Sequence, residues 1–461
     1  MTKGVFGEGA YHPPLSPPRA RSLARHLFLF FLLALTPASA KAAVFYPHTY
    51  TLANGMQIII VQNRLSAAVA QMVWIKAGSI DDPKGYSGLA HYLEHMMFKG
   101  TSTVPVGAFS ALIARMGGDE NAYTTLDFTA YHEVVAAPHL GEVMQLEADR
   151  MESLSLDPNQ AASELSVVKS ERQQRTDNSP QGRFAEKMAA SLFPDHPYGR
   201  PVIGWADEIA RITPERARAF YRAHYAPNNA VLVVSGNVEV KDVLRLAAGT
   251  FGRLPARPVA SRPDLSFTPS HASQRVEMQD ARVKQPFVVM RRIVPSRRAA
   301  LLDSYAYEVL AEALSADEVG LLYRHFVVEQ GTATGVDASY DALSLGPSTF
   351  SLAATPAVGG NIRALEKDMN AYLYRLARRG LSSQTIQAAK QRLEDSAIFA
   401  RDRLMAPAEV LGSSVVSGVS VQEVERWPSR IRAVTPRRVN KLFRALIAAQ
   451  PAVTGILEPA P

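Results

Sequence analysis

Apolar positions along the chain fall into short runs with two different periods. Tyr50-Thr51-Leu52 and Gln57 to Val61 are β-rich runs on either side of Asn54-Gly55, a pair that favours a tight hairpin turn. Ala67 to Lys76 reads as a second buried strand, broken by Ala77-Gly78-Ser79 and Asp81-Asp82-Pro83. Gly88 to Phe98 and Phe109 to Met116 have helical spacing, the latter ended by Gly117-Gly118. Ala122 to Val135 alternates and predicts a strand, while Leu140 to Leu154 and Gln160 to Arg175 predict helices. Thr213 before Pro214 is a helix start, with the helix running to Tyr221. Ala230 to Ser235 is a strand closed by Gly236-Asn237, and Val240 to Phe251 is a helix.

Between Gly252 and Ser273 the chain turns rich in Pro, Arg and Ser, the composition of a linker. Beyond it the order of elements repeats. Strands are predicted at Pro286 to Met290, Val336 to Tyr340 and Phe350 to Ala354. Helices are predicted at Ala299 to Leu314, Glu318 to Val328, Ile362 to Arg379 and Thr385 to Arg401. The expected fold is α+β: two homologous domains, each a mostly antiparallel sheet with helices packed on one face. The domain plan places an export signal in residues 1–40 and a first domain in 45–252. A linker follows at 253–275, then a second domain at 276–461. The signal reading rests on a basic flank (Arg19, Arg21, Arg25), the apolar run Leu27 to Leu35 and the small residues Ala38-Ser39-Ala40. That run is short for a membrane span and no later segment is long and apolar enough, so the mature chain is expected to be soluble and periplasmic, without a stable membrane span.

The 461 residues include no cysteine, which removes disulfides and thiolate metal sites from consideration; any metal must be held by histidine and carboxylate. The formal charge is +7, of which the first forty residues contribute Lys3, Arg19, Arg21 and Arg25 against Glu8, leaving about +4 for the rest. With no basic stripe interleaved with aromatics, nucleic acid is not an expected partner.

The chemistry centres on His91-Tyr92-Leu93-Glu94-His95. On a helix, positions i, i+3 and i+4 share a face, so both imidazoles and the Glu94 carboxylate point the same way. Two neutral imidazoles at that spacing reach one divalent ion, and Glu94 is placed to take a proton from a water activated there. A third ligand is required, and without cysteine it must be Glu, Asp or His. Glu164 and Glu171, two turns apart on one predicted helix, stand out, one to ligate and the other to orient a histidine. Zn²⁺ is expected, one per chain; Mn²⁺ and Co²⁺ suit the same donors.

Gly88 to Thr101 (GLAHYLEHMMFKGT) resembles the active-site helix of the pitrilysin/insulinase family of zinc peptidases with the inverted HxxEH motif. Further segments resemble the family in the same order: Gly118 to Tyr131, Glu164 to Glu171, His196 to Gly204 and Tyr225 to Asn229. The resemblance implies His91 and His95 as zinc ligands, Glu171 as the third ligand, Glu94 as the general base and Glu164 as a supporting carboxylate in the catalytic machinery. It places Asn121 and Ala122 on an edge strand that pairs with a substrate peptide. It also implies an Arg and a Tyr from the second half that hold the scissile carbonyl. Here Thr334 falls near where that Tyr is expected, Arg324 is a poor stand-in for the Arg, and Tyr340 would be that Tyr only by a shifted register and reads better as strand core. The expectation is therefore a periplasmic zinc endopeptidase for short or unfolded peptides that works with a homologous partner subunit supplying the Arg/Tyr pair. The alternatives are a non-catalytic homologous subunit and a peptide- or metal-binding protein without turnover.

Overall fold

A computed structural model of the chain describes residues 43–269, 272–449 and 453–460. The expected export signal lies outside the described residues. The first sheet contains β1 (His48–Thr51), β2 (Gln57–Gln62), β3 (Ala68–Ile75), β4 (Asp119–Thr124), β5 (Thr129–Ala136) and β6 (Ala230–Gly236) in the order β1-β2-β6-β3-β5-β4. The second contains β7 (Gln274–Asp280), β8 (Phe287–Val294), β9 (Ala333–Tyr340), β10 (Ser348–Pro356) and β11 (Val453–Pro459) in the order β7-β11-β8-β10-β9.

Apart from β1, the two orders are the same topology strand for strand. Each sheet has a single parallel pair, β2 with β6 and β7 with β11, and is otherwise antiparallel. The helices of each half recur in the same order. Helices α1 (Leu89–Met96), α2 (Ala108–Arg115), α3 (Leu140–Ser153), α4 (Pro158–Arg172) and α5 (Pro180–Leu192) belong to the first half. Leu301–Ser315, Ile362–Arg379, Ser383–Asp402 and Ala406–Val416 take the places of α1, α3, α4 and α5 in the second.

Local chemistry accounts for most of these boundaries. Gly55, at φ +88°, closes the β1–β2 turn with its N–H donating to the Leu52 carbonyl. Thr213 caps the helix Pro214–His224 by accepting from the Arg216 N–H, with Pro214 in the first position. Two expectations require correction. The run Ala122 to Val135 is two strands, because Thr125 turns the chain: its hydroxyl and backbone bond Asp127 and Phe128 and fold β4 onto β5. Glu318 to Val328 is helical from Leu321 but not as one α-helix: the α turn Leu321–Tyr323 runs directly into a wider π-helix over Arg324–Glu329. The strands β7 and β11 and the helices α5, Ala406–Val416 and Pro436–Ala448 were not anticipated, although Phe184, Met188 and Leu192 of α5 recur at i, i+4 and i+8 behind Ser179-Pro180.

The strand patterns explain the packing. β2 and β6 read as continuous apolar runs because both faces are covered. On one face lie the first half's own helices, with Leu89, Leu93 and Met96 of α1 and Val143 and Met144 of α3 against Ile58, Ile60, Leu232 and Val234. On the other face lies the helix Ala406–Val416 from the second half, with Ala408, Leu411 and Val416 against Ile59, Val61, Met72, Trp74, Val231 and Val233. The exchange is reciprocal. Phe184, Met188 and Leu192 of α5 cover the corresponding face of the second sheet against Val276, Val453 and Leu457. Each half therefore lends a helix to the other, and the expectation that helices cover one face holds only for each half's own helices.

Glycines mark the tightest points of this exchange. A Cβ on Gly412 would run into the Trp74 indole, and one on Gly455 into Met188 and Phe184. Gly412→Ala adds helix propensity worth up to about 1 kcal/mol. It also displaces the fully buried Trp74, an overpacking that costs about 1–3 kcal/mol. The expected net result is a lower melting temperature, read by thermal or denaturant unfolding.

Candidate metal centre

Helix α1 has eight residues, too few to stand alone, and it is held from several sides. Its N-cap, Gly88, has φ +88° and no side chain to cap with. The buried Asp82 carboxylate does so instead, accepting the N–H groups of Gly88 and Ala90 at 2.8 Å each. Gly88 packs against Gly204, and a Cβ on either would strike the other segment's backbone. The adjoining Ser87 N–H donates to Glu208 and the Trp205 N–H to the Ser87 hydroxyl. At the side of the helix the Tyr92 hydroxyl donates to the Ala161 carbonyl of α4 at 2.8 Å. This last bond fixes α1 against α4, the helix that carries both candidate acidic residues.

The result is a converging set of donors. His95 Nε2 lies 3.2 Å, and His91 Nε2 3.7 Å, from Glu171 Oε2. One ligand atom from each of His91, His95 and Glu171 falls within 4.8 Å of the others. Bonds of about 2.0–2.1 Å in a tetrahedral site separate neighbouring ligand atoms by about 3.3 Å, so the spacing fits a small divalent ion. The atom between the imidazoles, Glu171 Oε2, is buried and accepts no hydrogen bond, as a carboxylate oxygen reserved for a cation would be. Burial, with His95 and Arg175 nearby, lowers the His91 pKa to about 3, leaving the imidazole neutral as ligation requires.

Around these three lies a supporting shell. His95 Nδ1–H donates to Glu164 Oε1 at 2.8 Å, which leaves Nε2 with its lone pair facing Glu171. Glu164 is held in turn by Lys99 Nζ at 2.6 Å, and the other oxygen of Glu171 by Arg175 at 2.7 Å. Glu94 is buried beside them. Burial raises its pKa, partly opposed by the Thr124 hydroxyl, which donates to Oε2 at 2.5 Å. A carboxylate moved toward neutrality in this way is suited to gaining and losing a proton.

All of these groups line a cavity of about 570 Å³ that also takes in Phe98, Val167 and Asn121 to Thr124. β4 forms its wall and is an edge strand, paired only with β5. The Ala122 N–H is satisfied by the side-chain carbonyl of its neighbour Asn121 at 2.8 Å. Each residue singled out from the sequence as catalytic, metal-ligating or substrate-binding lies in this one cavity. Lys99, Thr124 and Arg175 were missed. Arg175 sits in the wide turn Gln173–Asp177 that follows α4, a local geometry no propensity foretells.

The second half contributes none of the cavity's lining residues. Thr334 accepts a hydrogen bond from the Gln285 amide, and the Tyr340 hydroxyl donates to the Pro295 carbonyl while its ring packs on Tyr307. Tyr340 is thus a packed strand residue.

Two family models match the chain: insulinase (peptidase family M16) over residues 57–205 and the peptidase M16 inactive domain over residues 211–393. The chain belongs to the insulinase/pitrilysin (M16) family. The zinc protease PqqE of Helicobacter pylori is 34% identical to this M16 chain over 226 residues, 48% of this chain and 51% of the relative. An uncharacterized zinc protease of Mycobacterium tuberculosis is 27% identical over 423 residues, 90% of this chain and 93% of that one. Among solved structures, a protease from Helicobacter pylori superposes with a TM-score of 0.84 at 24% identity, over 90% of this chain and all of that one. Pitrilysin superposes with a TM-score of 0.74 at 22% identity, over 90% of this chain but only 45% of its own length. The periplasmic protease PqqL of Escherichia coli gives 0.77 at 20% identity, over 90% of this chain and 47% of PqqL. The M16 fold of this chain is thus half the length of those two proteins.

If Glu164 orients His95 toward a metal, Glu164→Gln should weaken metal affinity by about 10–100-fold while leaving the fold intact. Competition against a zinc chelator, beside a melting curve, measures both.

Proposed function

We propose that this chain is a zinc-dependent endopeptidase acting on short or extended peptides. The observation that carries the reading is the meeting of His91, His95 and Glu171 around one point, with the buried Glu94 beside them and an edge strand alongside. His91, His95 and Glu171 would hold one Zn²⁺, which when bound supplies the Lewis acidity that polarises a peptide carbonyl and makes water acidic.

The chain's own residues do the rest. An extended peptide adds to β4 as a further strand, its carbonyl taking the Ala122 N–H from Asn121. Glu94, held by Thr124, accepts a proton from the attacking water and returns it to the leaving amine. Glu164 keeps His95 in the tautomer that offers Nε2. Phe98 and Val167 offer apolar surface to the residue next to the scissile bond.

The group that would stabilise the developing oxyanion is not furnished by the second half, where Thr334 stands near the expected Tyr position. A homologous partner subunit supplying an Arg/Tyr pair completes the site in this reading. The twofold greater length of pitrilysin and PqqL supports it, since one chain there spans what two would span here. The periplasmic assignment rests on the sequence character of residues 1–40 and on PqqL. Among the described residues no helix is long and apolar enough to cross a membrane.

Glu94→Gln should retain metal and lose turnover by about 10²–10⁴-fold. His91→Ala should lose the metal itself. Metal content measured beside cleavage of a quenched-fluorescent peptide tests both; an active Gln variant would refute the role of Glu94. The zinc-loaded chain alone should cleave far more slowly than the chain mixed with a homologue carrying the Arg/Tyr pair. Full activity of the isolated chain would rule out the partner.

A further inference from the structure

Outside the metal centre, one buried cation among the described residues, Arg292, has neither a counter-charge nor a hydrogen-bond acceptor; the buried Lys390 also lacks an anion but donates to the Arg432 and Val434 carbonyls. Arg292 lies on β8 with 5% of its surface exposed, on the helix-covered face of the second sheet. It forms no ion pair or side-chain hydrogen bond among the described residues, and its Nε and Nη1 are buried without a partner. Other buried arginines are handled differently. Arg150 is clasped by Glu147 and Glu133, and Arg172 by Glu186 and Asp177. A guanidinium withdrawn from water is strongly disfavoured unless an anion answers it.

Arg292 opens onto a cavity of about 600 Å³ between the sheet and the helix Ile362–Arg379. Beside Ile447 and Ala449 the lining carries the polar side chains of Gln274, Asn370, Tyr374 and Thr454, none of which forms a side-chain hydrogen bond among the described residues. Glu366, the one carboxylate among the described residues that line it, is already committed to Arg275, which grips both its oxygens at 2.9 Å. A buried cation, unclaimed amide donors and a small polar chamber make up the requirements of an oxyanion site.

We propose that this cavity binds a small oxyanion, a phosphate or carboxylate group, on the Arg292 guanidinium, with Asn370 and Gln274 as flanking donors. The site is on the second half and independent of the metal-centre reading. Burial without a counter-charge also lowers the Arg292 pKa to about 10, the direction a bound anion would reverse.

The test is the melting temperature of the full chain titrated with inorganic phosphate, and separately with succinate, against NaCl at constant ionic strength. The expected result is a saturable rise of about 2–4 °C with one or both, absent with NaCl. A rise with phosphate alone assigns a phosphate group, and with succinate alone a carboxylate. Arg292→Met should abolish the rise while its ligand-free melting temperature is no lower than wild type, because an unanswered buried charge has been removed. Asn370→Leu, at a half-buried helix position, should weaken the same response about fivefold. No saturable rise in the wild type overturns the proposal. So does a rise that survives in Arg292→Met, or a Met variant that melts well below wild type with no ligand present, since Arg292 would then be an already satisfied structural residue. Should the Met variant fail to fold, an unchanged response in Asn370→Leu overturns the named donor set.

Discussion

An eight-residue helix has to hold two imidazoles in register with a carboxylate on a different helix, and the rest of the molecule is arranged around that demand. Three donors that prefer a cation converge on one point, with no hydrogen bond to the Glu171 oxygen between them. Such a cluster persists only when the backbone beneath it cannot relax. Asp82 substitutes for a missing cap, the Gly88–Gly204 contact locks the helix start, and Tyr92 ties α1 to α4. None of these residues touches the point of convergence, yet each removes a freedom that would let the donors drift apart.

The exchange of helices between halves serves the same end on a larger scale. Each sheet keeps its own helices on one face and borrows one for the other, so the apolar faces of β2, β3 and β6 are closed by the second half. Neither half buries its sheet fully without the other. At the Gly412–Trp74 and Gly455–Met188 contacts the two halves meet too closely to admit even a methyl group. The duplicated topology makes this possible, since α5 and the helix Ala406–Val416 hold equivalent places and reach across in equivalent ways.

Buried charge is treated in two manners. In the first half Arg150 is stacked among Phe98, Phe109 and Tyr131 and answered by two carboxylates, which props up the chain just after α1. In the second half Arg292 is also buried but has no such answer among the described residues. Lys390, in the same half, is at least answered by two backbone carbonyls, whereas Arg292 has neither anion nor acceptor among the described residues.

The sequence by itself determined the short-range facts. The spacing of His91, Glu94 and His95 on a helix, of Glu164 and Glu171 two turns apart, and the Asn54-Gly55 and Thr213-Pro214 signals all act within a few residues, where periodicity and capping chemistry are decisive. The α+β repeat was visible for the same reason. What only the tertiary structure decided depends on groups far apart in sequence. These include the distance between α1 and α4, the choice of Glu164 as the residue that holds His95, the Thr124 bond to Glu94 and the position of Arg175 on a wide turn. They also include the borrowed helices. β7 and β11 were harder to read because part of their burial, at Val276, Val453 and Leu457, is created by the opposite half. Their apolar pattern answers a surface that does not exist until both sheets are folded.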